Sequence, residues 1–432
     1  MTFYRTTGRL FIYIALTAAT ASWGWAYPLD GYESTGITRL EAYRLAQEGK
    51  LRARIQPPGA LLKTADIELG LADRKDFTLP AVDEKFRADV KRLLVHDPQG
   101  YGIAVLDLSD RARPRYCEVR GNYRANPGSV GKVLIAQGLF QALADLYPDS
   151  IEDRLRILRT TMVTADDFIV SNHHVVPLWQ PDQPKITYRR LKIGDRANLY
   201  TYLDWMLSAS SNAAASMVLR EVMLLNHFGR AYPVSPEAAE AFFRQTPYKE
   251  RAALLVRSLQ NPVTRSGLDL KKLRQGSFFT RQGKKRVGGT TSYATPAELI
   301  RWLVKLEQGL IVDEFSSREI KRLLYMTQRR IRYASSPALK DAAVYFKSGS
   351  LYKCEPEPGF ECKKYHGNVL NMLNSIAIVE HPAGSPRLHY LVAVMSNVLR
   401  KNSAVVHQSL ATWLHRLLER QHGTASGSQS SQ

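Results

Sequence analysis

The spacing of apolar and polar positions divides the chain into three zones. Residues 101–108 form an apolar, β-rich run that reads as a strand, and residues 115–120 return as its hairpin partner after a turn at 110–114. Residues 83–95, just before them, have helical spacing. From about 132 to 310 the apolar positions recur at helical intervals. Segments 199–207, 212–225, 236–245 and 252–259 read as helices. Segment 296–308 is the clearest, with Thr295 as its cap and Pro296 in its first turn. One more helix is expected near 317–329. The pattern then changes to short strands at 342–346, 373–380 and 389–395, the last two joined by a hairpin-like connection at 381–386. An amphipathic helix at 404–420 closes the series.

Strands at both ends with helices between them imply an α+β fold. One antiparallel sheet is built from both ends of the domain, with flanking helices and an inserted all-helical subdomain. This body spans residues 85–421. Residues 27–84 form an N-terminal extension of unknown role, with a short amphipathic helix at 37–47, a break at Pro57-Pro58-Gly59 and an apolar-rich segment at 60–71. The polar tail, 422–432, is expected to be disordered. No internal repeat is present.

The first 26 residues change the setting. Arg5 and Arg9 precede an apolar run from Leu10 to about Ala21, followed by small residues at Ala19-Thr20-Ala21 and Gly24-Trp25-Ala26. This is the order of a secretory signal peptide, or of an N-terminal anchor if uncleaved. A periplasmic or secreted protein of a bacterial envelope is expected, with membrane contact only through that segment. The 432-residue chain is strongly basic, with a formal net charge of +20. Its Lys and Arg are scattered and not interleaved with aromatics, so nucleic acid is not an expected partner, whereas anionic envelope polymers are. Export also bears on the three cysteines. Cys354 and Cys362 bracket a short polar loop, so a disulfide closing it is expected, with Cys117 left over and buried in a strand. No spacing suggests a metal site. His173-His174 and the pair His407 and His415 lack companion ligands. No cofactor is implied.

The candidate chemistry begins at Asn126-Pro127-Gly128-Ser129-Val130-Gly131-Lys132, a loop that turns into a helix. Residues three apart share a helical face, so the Ser129 hydroxyl and the Lys132 amine can meet, and a serine beside an amine is a candidate activated nucleophile. A second Ser-x-x-Lys, Ser350 to Lys353, falls in a strand or loop where the side chains would not align. Two further tripeptides follow in order. Ser210-Ser211-Asn212 stands before a helical run, and Lys347-Ser348-Gly349 ends the strand expected at 342–346.

Together the three motifs resemble those of the class A β-lactamases and penicillin-binding proteins. The early hairpin, the Thr290–Pro296 lead into a helix, the late strands and the last helix fit that fold. The resemblance implies a β-lactamase-like serine hydrolase acting on β-lactams or peptidoglycan-type D-amino-acid peptides. Ser129 would be its nucleophile, Lys132 the base, and Ser210 the proton relay between Lys132 and Lys347. Asn212, Ser348, Gly349 and Ser350 would bind substrate, with the N–H groups of Ser129 and Ser350 as the oxyanion hole. The alternatives are a D,D-peptidase or transpeptidase, or a catalytically weak cell-wall binding protein on the same fold. One departure stands out. Class A β-lactamases carry a glutamate that activates the deacylating water. Here segment 270–289 is basic and has no carboxylate, and Glu250 and Asp269 stand outside any matching pattern.

Overall fold

The computed structural model describes residues 30–325 and 330–423. The signal-peptide, helix-end and tail expectations at 1–26, 326–329 and 424–432 lie outside the described residues. Five strands form the main sheet: β1 (Tyr101–Asp107), β2 (Arg115–Val119), β3 (Ala343–Lys353), β4 (Leu370–His381) and β5 (Leu388–Asn397). Their order is β2-β1-β5-β4-β3, antiparallel throughout, so the early hairpin and the three late strands join in one sheet through the β1–β5 pair.

Alternation along the strands sorts the core into two layers. Ile103 and Val105 of β1, with Val344, Phe346, Val379 and Val392, face one side, where Phe86 and Val90 and the C-terminal residues Leu410 and Leu414 cover them. Ala104 and Leu106, with Tyr345, Ile376 and Leu391, face the other side and the inserted helices. The helices that matter here are α1 (Thr38–Gln47), α2 (Glu84–Arg92), α3 (Lys132–Leu146), α4 (Leu199–Leu207), α5 (Asn212–Phe228), α6 (Pro296–Glu307), α7 (Glu314–Tyr325) and α8 (Ser403–Gln421). α2 and α8 cover the first face. The others, with Pro236–Gln245 and Tyr248–Arg265, belong to the second side or to the extension.

Two expectations are corrected. The inserted part is not all helical. Between residues 161 and 198 the chain runs irregularly, with three-residue ladders pairing Met162–Thr164 with Arg196–Asn198 and Val176–Leu178 with Thr187–Arg189. Nor does β3 end at Phe346. It continues to Lys353, pairing Ser350 with Leu373 and Lys353 with Leu370 of β4. Of the polar residues there, Lys347 and Ser348 are buried, and the strand emerges into solvent only at 351–353.

The N-terminal extension packs on the body. Ile37, Leu40, Ile67 and Leu71 are buried in the same core as the inserted helices. Arg39 of α1 donates from Nε to Asp204 of α4 at 2.6 Å, and both side chains are almost wholly buried. Among the described residues, no helix is long and apolar enough to cross a membrane.

Candidate active site

The loop carrying Ser129 is anchored before the chemistry begins. Asn126 Oδ1 accepts from the Gly128 N–H at 2.8 Å, and Asn374 Nδ2 of β4 donates to the Asn126 carbonyl at 2.8 Å. Gly128 has φ of 55°, a left-handed geometry that glycine adopts without strain. A 3₁₀ turn, Gly128–Gly131, then carries Ser129, and α3 starts at Lys132, slightly later than the spacing predicts. Hydroxyl and amine still meet, at 3.0 Å.

Lys132 is fully buried and contacts two further oxygens: the Ser210 carbonyl at 2.7 Å and Asn212 Oδ1 at 2.8 Å. The Phe279 ring centroid lies 4.7 Å from its Nζ. Burial, and then the charges of Lys347 and Arg332, push its pKa well below the ordinary lysine value. Both neighbouring charges are positive, so the three hydrogen bonds stand without a compensating negative charge, and folding shifts Lys132 toward the neutral amine.

Ser210 has φ of 58°, a conformation that costs a non-glycine residue energy. That backbone turn sends its carbonyl to Lys132 and its hydroxyl to Lys347, whose Nζ donates to Ser210 Oγ at 2.8 Å. Ser210 thus touches both lysines by different atoms, its hydroxyl at Lys347 and its carbonyl at Lys132, so the hydroxyl expected to link the two is hydrogen-bonded to Lys347. Burial, then Arg332, lowers the Lys347 pKa to about 7.

Gly349 is where β3 touches the Ser129 turn. A Cβ there would lie 2.3 Å from the Ser129 nitrogen and 2.7 Å from the Pro127 carbonyl oxygen. Only glycine permits that approach, which packs the Gly349–Ser350 backbone against the Pro127–Ser129 turn.

Arg332 escaped the sequence reading. It donates to Ser348 Oγ at 2.7 Å, and to Ser350 Oγ and the Tyr365 hydroxyl at 3.0 Å each, with the guanidinium 4.7 Å from the Tyr365 ring centroid. His174 is the other unforeseen neighbour. Burial, then Lys132 and Lys347, lowers its pKa to about 3, which keeps the imidazole neutral. His407 of α8 supports the sheet from behind, bonded to Ser375 at 3.1 Å and to Ser396 at 2.9 Å.

The structure thus brings together Ser129, Lys132, Ser210, Asn212, Lys347, Ser348, Gly349 and Ser350. Of the second Ser-x-x-Lys, Ser350 lies at the site while Lys353 is paired to Glu355 at 3.0 Å. Cys354 and Cys362 are disulfide-bonded beyond the end of β3, and Cys117 is free and buried in β2. Segment 270–289 reaches the site with neutral groups, Phe279 over Lys132 and Gln275 against Gly131. Glu250 and Asp269 are exposed, and the Asp269 carboxylate accepts from the Lys271 N–H. Among the described residues, no carboxylate is hydrogen-bonded to Ser129, Lys132, Ser210 or Lys347.

Comparison with curated proteins finds no match. Among solved structures, a β-lactamase from Sphaerobacter thermophilus is 13% identical, with a TM-score of 0.50 over 79% of this chain and 98% of its own. TLA-3 extended-spectrum β-lactamase is 14% identical, with a TM-score of 0.50 over 78% of this chain and 98% of its own. PBP-A is 15% identical, with a TM-score of 0.48 over 79% of this chain and 100% of its own. At such low identity the two β-lactamases speak for the fold alone. The family itself rests on sequence: residues 85–408 match the model of the β-lactamase enzyme family, and the chain belongs to that family.

Proposed function

We propose that this chain is an exported serine hydrolase that forms an acyl-enzyme on Ser129, acting on β-lactams or peptidoglycan-type D-amino-acid peptides in the bacterial envelope. The observation that carries the reading is the set of contacts around Lys132. The Ser210 carbonyl and Asn212 Oδ1 can only accept. A neutral amine has two N–H bonds, and these two oxygens take both. Its lone pair then faces Ser129 Oγ, so the hydroxyl donates to the amine, which is the arrangement a general base needs.

As Ser129 Oγ bonds to the carbonyl carbon, its proton passes to Lys132 Nζ. The carbonyl oxygen becomes an oxyanion held by the N–H groups of Ser129 and Ser350. When the carbon–nitrogen bond breaks, Ser210 Oγ gives its proton to the leaving nitrogen and regains one from the Lys347 ammonium that donates to it, while Lys132 keeps the proton taken from Ser129. Asn212 holds Lys132 in place and meets the substrate amide. Protonated Lys347, with Ser348 and Arg332, supplies positive charge for a substrate carboxylate.

Hydrolysis of the ester needs a base for water. Near Ser129 that base is again Lys132, since Phe279 and Gln275, the groups that segment 270–289 brings there, have no basic atom. This supports slow deacylation and favours a penicillin-binding or D,D-peptidase role over rapid antibiotic hydrolysis. Export rests on the pattern of residues 1–26, and the basic chain suits an anionic cell wall.

The test incubates the purified chain with a fluorescent penicillin, a chromogenic cephalosporin and a peptide ending in D-Ala-D-Ala. Labelling that persists for many minutes, with slow cephalosporin turnover, is expected. Rapid turnover without a persistent label would make it a β-lactamase, and no label with no turnover of any substrate would refute the enzyme reading.

A further inference from the structure

The histidines that lack companions in sequence acquire them by folding. His415 and Glu419 stand at positions i and i+4 of α8, on one helical face. His381, the last residue of β4, meets them from the sheet. The two imidazoles pack edge to face with centroids 4.8 Å apart. His415 Nε2 is 3.6 Å from Glu419 Oε1, and His381 Nε2 is 4.0 Å from the same oxygen. One ligand atom from each residue lies within 4.8 Å of the others. Around a zinc-sized ion, with metal–ligand bonds of about 2.0–2.2 Å, tetrahedral ligands stand about 3.4 Å apart. Small side-chain rotations close the difference.

Two features separate this group from an ordinary polar cluster. His415 is wholly buried, yet its Nε2 makes no hydrogen bond. Its other nitrogen, Nδ1, lies 3.2 Å from the Tyr390 hydroxyl. With Nδ1–H donated to that oxygen, the Nε2 lone pair points toward Glu419, the outer support that metal-bound histidines commonly have. The side chains of His381 and Glu419 are 20% and 23% exposed, so solvent reaches the group. A second group, Glu307, Glu380 and His389, has similar spacing, but Lys321 Nζ sits 2.8 Å from both carboxylates and already supplies the cation.

We infer that His381, His415 and Glu419 bind a divalent transition metal of the zinc class. Two imidazoles and one carboxylate are a donor set suited to that ion. The site is remote from Ser129. His381 is six residues along β4 from Ser375, the partner of Ser348, or about 20 Å at roughly 3.3 Å per residue. The ion ties the end of the β4–β5 hairpin to the C-terminal helix, a cross-link between sheet and helix.

The full chain, free of affinity histidines, is titrated with Co²⁺ followed by visible absorption, and with Zn²⁺ followed by calorimetry. One equivalent is expected, with tetrahedral Co²⁺ absorption and a melting temperature that rises with Zn²⁺ and falls back with chelator. His381→Gln and Glu419→Gln, at partly exposed positions, should each weaken binding by about tenfold or more. Labelling of Ser129 by penicillin should not change in either variant. No stoichiometric equivalent, or undiminished affinity in either variant, would overturn the assignment.

Discussion

Gly349→Ala tests the contact between β3 and the Ser129 turn. The new methyl would lie 2.3 Å from the Ser129 nitrogen, 2.7 Å from the Pro127 oxygen and 2.9 Å from the Gly128 carbonyl carbon. All three are backbone atoms, so no side chain can swing aside. The strand and the turn must part by roughly 0.7 Å to reach even the shortest contact a real Cβ tolerates. That displacement moves the Ser350 N–H relative to the Ser129 N–H and so opens the oxyanion hole. Losing one such donor costs about 10²- to 10³-fold in rate, and the second-order acylation rate with penicillin should fall by about that much. Stopped-flow fluorescence measures it, while circular dichroism and a thermal melt establish that the variant is folded. Ser350→Ala is the control. It keeps the N–H and loses one bond from Arg332, so its rate should stay within about tenfold of the parent. A folded Gly349→Ala protein that acylates within about threefold of the parent would refute the reasoning.

Lys347 works as a cation, yet its pKa is lowered to about 7. Acylation should therefore decline as pH rises through about 7, and Arg332→Gln, by removing a depressing charge, should move that decline to higher pH. A pH–rate profile of the free enzyme that stays flat from pH 6 to 9 would contradict this. Arg332→Gln should also slow acylation by a carboxylate-bearing penicillin about 10- to 100-fold, the worth of a charged hydrogen bond, with little effect on its methyl ester. Equal losses on both would show that Arg332 acts only structurally. Arg39→Ala leaves Asp204 buried without its partner and should destabilise the fold by about 3–5 kcal/mol in denaturant titration. A loss below about 1 kcal/mol would mean that α1 is not clamped to the body through this pair.

Much of this was legible in the chain because two signals are local. The apolar run at 101–107 and the helical spacing at 199–207 and 236–245 depend on neighbours in sequence, and the elements fall there. Ser129 and Lys132 sit one turn apart, so their meeting depends on local geometry alone. Other parts depend on tertiary packing. The pairings of Met162–Thr164 and Val176–Leu178 are too short to carry a period, and the helical context on both sides masked them. β3 looked finished at Phe346 because Lys347, Ser348 and Gly349 interrupt its apolar run, although pairing with β4 continues. Arg332 stands in a basic stretch like several others, and nothing in its neighbours marks it. Its φ of 53° and its reach to Ser348 and Ser350 come from the fold. The pair His407 and His415 looked companionless for the same reason. Ser375, Ser396, Tyr390 and His381 reach them only once β4 and β5 lie beneath α8.

Peptide mapping of the penicillin adduct shows whether Ser129 is the nucleophile and Lys132 its base. The full chain is incubated with benzylpenicillin near neutral pH, quenched, digested and read by mass spectrometry, with Lys132→Ala and Ser129→Ala in parallel. The account predicts one penicilloyl group on the peptide containing Ser129. It predicts an adduct formed at least about 10²-fold more slowly in Lys132→Ala, the usual worth of a general base, and none in Ser129→Ala. An adduct on another residue, or acylation of Lys132→Ala at the parent rate, would contradict it.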